Sequence, residues 1–307
     1  MTAALLIPFV MTLVMAATPI LLAATGELVA ERSGVLNLGV EGMMLAGAVA
    51  GFAAATLTGS STVGVLAAIA GGIALSLVFA GLTLGLAANQ VATGLALTIF
   101  GTGVSSLVGA PFVGRTVARF GPLLPASISE HPVWRVVFGY DPIVYLALAL
   151  TGAVAWFLRS TRAGLILRAV GEADSSAHAI GYPVRLVRLG AVVFGGACAG
   201  LAGAYFSLEL TPMWADRLTA GRGWIALALV VFASWRPGRL LGGAYLFGGV
   251  MTLELYAKAS GLVAVPPEFL AMLPYLATIA VLTLISVRPG RGSSAAPACL
   301  GKTFAHA

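Results

Sequence analysis

The stretch that decides the fold is GMMLAGAVAGFAAATLTGS (42–60), STVGVLAAIAGGIALSLVFAGLTLGLAANQ (61–90) and VATGLALTIFGTGVSSLVGAPFVG (91–114), 73 consecutive residues without an Asp, Glu, Lys, Arg or His. A helix rises about 1.5 Å per residue, so this run makes on the order of 110 Å of helix. That length suffices for three crossings of a hydrocarbon core ~30 Å thick. The turn signals Thr58-Gly59-Ser60-Ser61 and Ala88-Asn89-Gln90 divide it into helices over 38–57, 63–87 and 91–108.

Working outward, one apolar run precedes these (5–25) and five follow (143–158, 186–208, 224–235, 240–257 and 269–287). The reading is an all-α polytopic membrane protein of about nine transmembrane helices, with 224–235 short for a full span. Residues 1–289 form the membrane domain. The Ser-, Ala- and Gly-rich residues 290–307 show no helical period and are expected to be a flexible cytoplasmic tail. Pro19 and Pro274 interrupt apolar runs, where each removes a backbone hydrogen bond and favours a kink.

Composition excludes the other classes. Only 9% of the 307 residues are charged and 59% are hydrophobic, with a mean hydropathy of +1.00. A soluble domain carries about 25% charged residues, and a disordered chain carries more charge and less apolar surface. A membrane β-barrel would alternate apolar and polar residues, whereas these runs are continuous. Two cysteines, Cys198 and Cys299, rule out a disulfide framework or a multi-cysteine metal site, and Cys198 reads as a small packed hydrophobe. His131, His178 and His306 stand far apart. No cofactor is implied. The N-terminal run has no basic residue before Arg32, so it reads as a first membrane helix rather than a secretory signal.

The +6 charge follows the membrane rather than nucleic acid. Cytoplasmic loops collect Lys and Arg. The segment holding Arg159, Arg162, Arg168, Arg185 and Arg188 is therefore cytoplasmic, the N-terminus is outside, and the C-terminus is inside. Nine crossings then put 11 basic residues inside and 6 outside, counting Arg32, Arg236 and Arg239 among the former. The 39 glycines are nearly twice the usual ~7%. The spacings Gly47-xxx-Gly51, Gly81-xxx-Gly85 and Gly196-xxx-Gly200 place small residues on one helix face, a general device for close helix approach.

Catalytic and nucleotide-binding signatures are missing. Gly301-Lys302-Thr303 ends like a phosphate-binding loop, but Ala296 and Pro297 stand where the opening glycine belongs. Two polar stretches remain. In the first, Glu31 and Arg32 read as a solvated turn. Asn37 and Glu41, four apart, read as sharing a helix face, with Gly34, Gly39 and Gly42 permitting close approach. For Glu41 a helix-start role and a pathway lining compete. The second stretch follows Arg168. Glu172 and Asp174 are expected in the first turn of a short helix that Gly181 ends. Such a helix is marginal alone and gains stability by docking on a partner.

These stretches resemble the permease subunits of bacterial ABC importers, in the branch for simple sugars, branched-chain amino acids and nucleosides, most closely the shorter permease of nucleoside-type importers. The residues that carry the resemblance are TPILLAA (18–24), ERSGVLNLGVEGMM (31–44), RAVGE (168–172), AGLAGAY (199–205) and TAGRGWIALA (219–228). It covers residues 15 to 287. The resemblance implies a non-enzymatic translocation subunit of the bacterial inner membrane, working by alternating access. It also implies ABC ATPase subunits, a second permease subunit and an extracytoplasmic substrate-binding lipoprotein as partners, and no nucleic acid. Residues 171–181 would be the coupling helix that touches the ATPase. Gly171, Glu172, Ala177 and Gly181 fit the branch's loop pattern, while Ala173-Asp174 replaces the Asn-Pro of many relatives. Asn37, Glu41, Asn89 and Gln90 are the candidates for the polar lining of the pathway, and the solute reads as a nucleoside or a related small polar molecule. The rival is a self-contained secondary transporter, which needs buried ionisable groups. Glu41, Glu209 and Glu254 all fall near helix ends instead.

Overall fold

Residues 3–125, 134–260 and 296–304, with single positions between 269 and 283, are described by a computed structural model. Helix α1 (Ala3–Arg32) runs through both Pro8 and Pro19 and extends past the expected 5–25 to the first arginine. From Ala17 to Glu31 every residue is buried, which makes the second half of α1 the central post. The long apolar helices around it are α2 (Val40–Thr58), α3 (Ser61–Ala80, continued by a π turn over Gly81–Gly85) and α4 (Gln90–Gly109). The short α5 (Arg135–Phe138) precedes α6 (Pro142–Ser160). Two short helices, α7 (Arg162–Glu172) and α8 (Asp174–Ala179), lead into α9 (Val184–Ala204, continued by a π turn over Tyr205–Leu210). Helices α10 (Arg222–Phe232) and α11 (Pro237–Ser260) follow.

Seven of these are long and apolar enough to cross a membrane. The eighth candidate, α10, has 11 residues, and the ninth, 269–287, lies almost wholly outside the described residues. No strand occurs among the described residues.

Small residues set the packing of α2, α3 and α9. A Cβ on Gly200 would strike the Ala68 carbonyl, one on Gly47 would strike Gly200, and one on Gly196 would strike Ser76. These backbones meet too closely for any side chain between them. The Gly81-xxx-Gly85 spacing behaves differently. Gly81 and Gly85 lie in the π turn, with nothing within 4 Å of a Cβ among the described residues. The hydroxyls of Thr25 and Thr151, 3.0 Å apart, join α1 to α6. Asp141 caps α6 by accepting from the Ile143 and Val144 amides and also accepts the Tyr205 hydroxyl. Burial pushes its carboxyl up, and these hydrogen bonds oppose the rise.

One face of the bundle gathers arginine. Arg32, Arg159, Arg168 and Arg236 line a cavity of about 270 Å³ there with Trp235 and Pro237. The expected solvated turn at Glu31–Arg32 is corrected. Glu31 is buried and accepts the Trp235 indole N–H, and Arg32 donates to the Trp235 carbonyl. At the opposite face the segment 113–120 lies along 209–214, with the Val117 amide on the Pro212 carbonyl and the Phe120 amide on Glu209.

Residues 296–304 are not a free tail. Cys299 is buried, and its amide donates to the Gly171 carbonyl at 2.9 Å. Sequence composition there indicated flexibility, but the Gly171 and Gly34 carbonyls and the side chains of Glu172, Gln90 and Arg188 hold this stretch.

Candidate functional site

After Arg32 the chain turns back along α1 before α2 begins. The Asn37 amide donates to Glu27 Oε1 at 3.0 Å, which sets Asn37 level with a residue five positions, or about 7.5 Å, above the helix end. Asn37 precedes the first turn of α2, so it does not share a helix face with Glu41. Its Oδ1 accepts the Gly39 amide and its Nδ2 points at Met43 Sδ. Glu41, in the first turn of α2, reaches the depth of Thr98, eight residues or about 12 Å along α4.

At that depth Glu41 meets the segment between α9 and α10. Residues 211–221 leave the face opposite the arginines and descend without helical structure. Helix α10 then covers the rest of the way to Trp235, about 16 Å for its 11 residues. The crossing is thus half irregular chain and half helix. Non-helical backbone within a bilayer needs internal partners or a hydrated cavity. Glu41 supplies the partners. Its Oε1 accepts the Thr219 hydroxyl at 2.6 Å and the Gly221 amide at 2.8 Å, and its Oε2 accepts the Gly223 amide at 2.6 Å. A carboxylate at a helix N-terminus satisfies its free amides and complements the dipole. Gly221 has φ +80°, and a Cβ on Gly223 would come within 2.7 Å of Glu41 Cα. A side chain at 221 would strain the backbone, and one at 223 would strike Glu41.

Beside the turn lies a cavity of about 410 Å³ lined by Glu41, Leu45, Thr98, Ile99, Thr102, Arg217, Ala220, Gly221 and Trp224. Thr98 donates its hydroxyl proton to the Leu38 carbonyl and Thr102 donates to the Thr98 carbonyl, so both oxygens keep lone pairs. Arg217 supplies guanidinium donors, and Trp224 supplies an indole face. The cavity therefore pairs donors and acceptors with a flat apolar surface.

Of the four residues expected along a pathway, only Glu41 lines this cavity. Asn89 caps α4 by accepting the Ala92 amide. Gln90 is buried between the Leu36 amide, which it accepts, and the Lys302 carbonyl, to which it donates. Thr98, Thr102 and Arg217 escaped the sequence reading, and Trp224 entered it only within the stretch 219–228. The two threonines carry a weak signal, a pair four apart within an apolar run; Arg217 carries none.

The second polar stretch is two helices. Glu172 is the last residue of α7, and the chain breaks at Ala173 (φ −150°, ψ 82°). The expected placement of Glu172 in a first turn is therefore corrected; Asp174 alone of the two occupies that position. Gly181, at φ +93°, follows the end of α8. Ala177 packs inward with Val170 and Val184, while Ser175, His178 and Ile180 are exposed. Arg188 is the hub beneath α8. It pairs with Asp174 at 3.0 Å and donates to the carbonyls of Ser33 and Lys302. Nothing in the sequence singled it out from the other arginines.

Residues 9–282 match the family model described as "Branched-chain amino acid transport system / permease component". The chain belongs to this permease family. It is 41% identical to a putative glucose ABC transporter permease protein of Haloferax volcanii, over 95% of each chain. It is 31% identical to a guanosine ABC transporter permease protein of Bacillus subtilis, over 89% of each, and 28% identical to a nucleoside ABC transporter permease protein of Lactococcus lactis, over 87% of this chain and 88% of that one. This permease is thus the membrane-spanning subunit of an ABC transporter. It is not itself an enzyme, and ATP hydrolysis resides on a separate chain. The secondary-transporter alternative is not favoured. Family membership implies ATPase and substrate-binding partners in general.

Proposed function

We propose that the 410 Å³ cavity is this subunit's share of the solute pathway and that the solute is a neutral, hydroxyl-rich ring, a sugar or the ribose of a nucleoside. The observation that carries this is Trp224 and Arg217 on one cavity with two threonine oxygens. The apolar face of a sugar ring stacks on an indole, and its hydroxyls pair with guanidinium donors and threonine acceptors. Glu41 acts here as a strut for the wall, since all its hydrogen bonds run to the turn at 219–223. Asn37, Asn89 and Gln90 serve the backbone around the wall rather than the solute. The relatives named for glucose, guanosine and nucleosides agree with this solute class.

In this reading the arginine-rich face is cytoplasmic, by the bias of basic residues toward that side, and the N-terminus is outside. Residues 171–181, with Ile180 exposed at the tip, dock on the ATPase subunits. A second permease subunit completes the pathway, and an extracytoplasmic binding lipoprotein delivers solute at the opposite face of the bacterial inner membrane. The test is uptake of labelled glucose and labelled guanosine by cells carrying the intact transporter. Uptake of one of them that follows ATP and persists under an uncoupler at constant ATP is expected. Uptake that collapses with the proton gradient at constant ATP refutes the reading.

A further inference from the structure

The segment 296–304 lies on the arginine-rich face among three elements distant in sequence. On one side it meets the break between α7 and α8. The Cys299 amide donates to the Gly171 carbonyl at 2.9 Å, the Ala298 amide to Glu172 Oε2 at 3.3 Å, and the Phe304 ring lies 5.7 Å from His178. On the other side, through Gly301 and Lys302, it meets the turn that leads into α2 and the start of α4. The Gly301 amide donates to the Gly34 carbonyl at 3.2 Å, and the Lys302 carbonyl accepts from Gln90 Nε2 at 3.2 Å. Gln90 in turn accepts the Leu36 amide at 2.8 Å. Glu41 stands five residues beyond Leu36, and Thr98 two turns beyond Gln90, so both grips lead to walls of the cavity.

We propose that 296–304 is a strut that transmits displacement of the α7–α8 segment to the α2 and α4 walls of the pathway. The proposal rests on the reading of residues 171–181 as the ATPase contact. Packed elements with shared hydrogen bonds move as units, so a stretch clamped to both sides carries motion between them. Arg188 already joins the two sides through Asp174 and the Ser33 carbonyl, and it also donates to the Lys302 carbonyl; the segment adds a second link, with backbone bonds to both sides and the buried Gln90 committed to the junction.

The test uses the whole transporter in proteoliposomes, with glucose and guanosine as solutes. Gly301 has φ +74°, and a Cβ there would stand 3.9 Å from Leu36, so Gly301→Val strains the backbone without a clash. Cys299 is a native reporter of seating, and Cys198 is buried within α9. Maleimide labelling of Cys299 in Gly301→Val is expected to rise about tenfold. ATP hydrolysed per solute taken up is expected to rise about tenfold, with ATPase copurification unchanged. Faster labelling with an unchanged ATP-to-solute ratio overturns the strut. So does loss of ATPase copurification, because the segment would then belong to the docking surface. If labelling stays slow, deletion of 296–307 removes the segment outright, and an unchanged ratio in that variant overturns the proposal. Failure of ATP-driven uptake in the unaltered transporter sinks the ATPase-contact reading instead.

Discussion

Glu41→Gln separates a strut from a solute ligand. The carboxylate accepts three hydrogen bonds from the turn at 219–223, at 2.6, 2.8 and 2.6 Å. Glutamine keeps the shape and one oxygen, but its NH₂ then faces an amide donor. With the oxygen kept toward Thr219 and Gly221, the Gly223 amide loses its acceptor inside the bundle. A hydrogen bond to a charged group is worth about 1.5–3 kcal/mol, and the stranded amide adds to that, so the cost is at least about 2 kcal/mol. For a chain of this size each kcal/mol lowers Tm by roughly 2–4 °C, so a drop of several degrees is expected in detergent. Thr219→Val removes one of the three bonds and leaves Oε1 paired with Gly221, so its drop is smaller, corresponding to about 1 kcal/mol. The assay is thermal unfolding of the purified permease, followed by uptake normalised to folded protein. A Tm within about 1 °C of the native value, together with a severalfold change in half-saturation, would refute the strut and make Glu41 a solute contact.

Three further outcomes are expected. Gly200→Leu should abolish accumulation of folded permease because Ala68 already touches the Gly200 backbone, whereas Gly81→Ala should be tolerated and gain up to about 1 kcal/mol in unfolding experiments. A cysteine at exposed Ser175, with Cys198 and Cys299 replaced, should resist an impermeant reagent added outside intact cells, and rapid labelling would reverse the orientation. Glu172→Lys places a cation at the end of α7 and should reduce ATPase copurification while the protein still inserts; unchanged copurification and uptake would remove Glu172 from the contact.

Hydropathy alone determined that this chain crosses a bilayer, and roughly how often. The signal is local, since about 20 apolar residues suffice whatever they pack against. The sequence pattern 31–44 likewise marked Glu41, and the arginine bias singled out the loop that holds α8. Tertiary structure decided what these residues do. No sequence period shows that a crossing is built from the irregular 211–221 and the half-length α10, because its stability comes from a carboxylate 178 to 182 residues away. The same holds for Asn37 and Gln90. Their polarity in an apolar chain demands hydrogen bonds, which a pathway or a remote backbone can both satisfy. The residues 296–304 carry the composition of a flexible tail, yet pack because Gly171, Gly34, Gln90 and Arg188 offer partners for their backbone groups. A local pattern records what a segment must bury; only the assembled bundle supplies the groups that satisfy it.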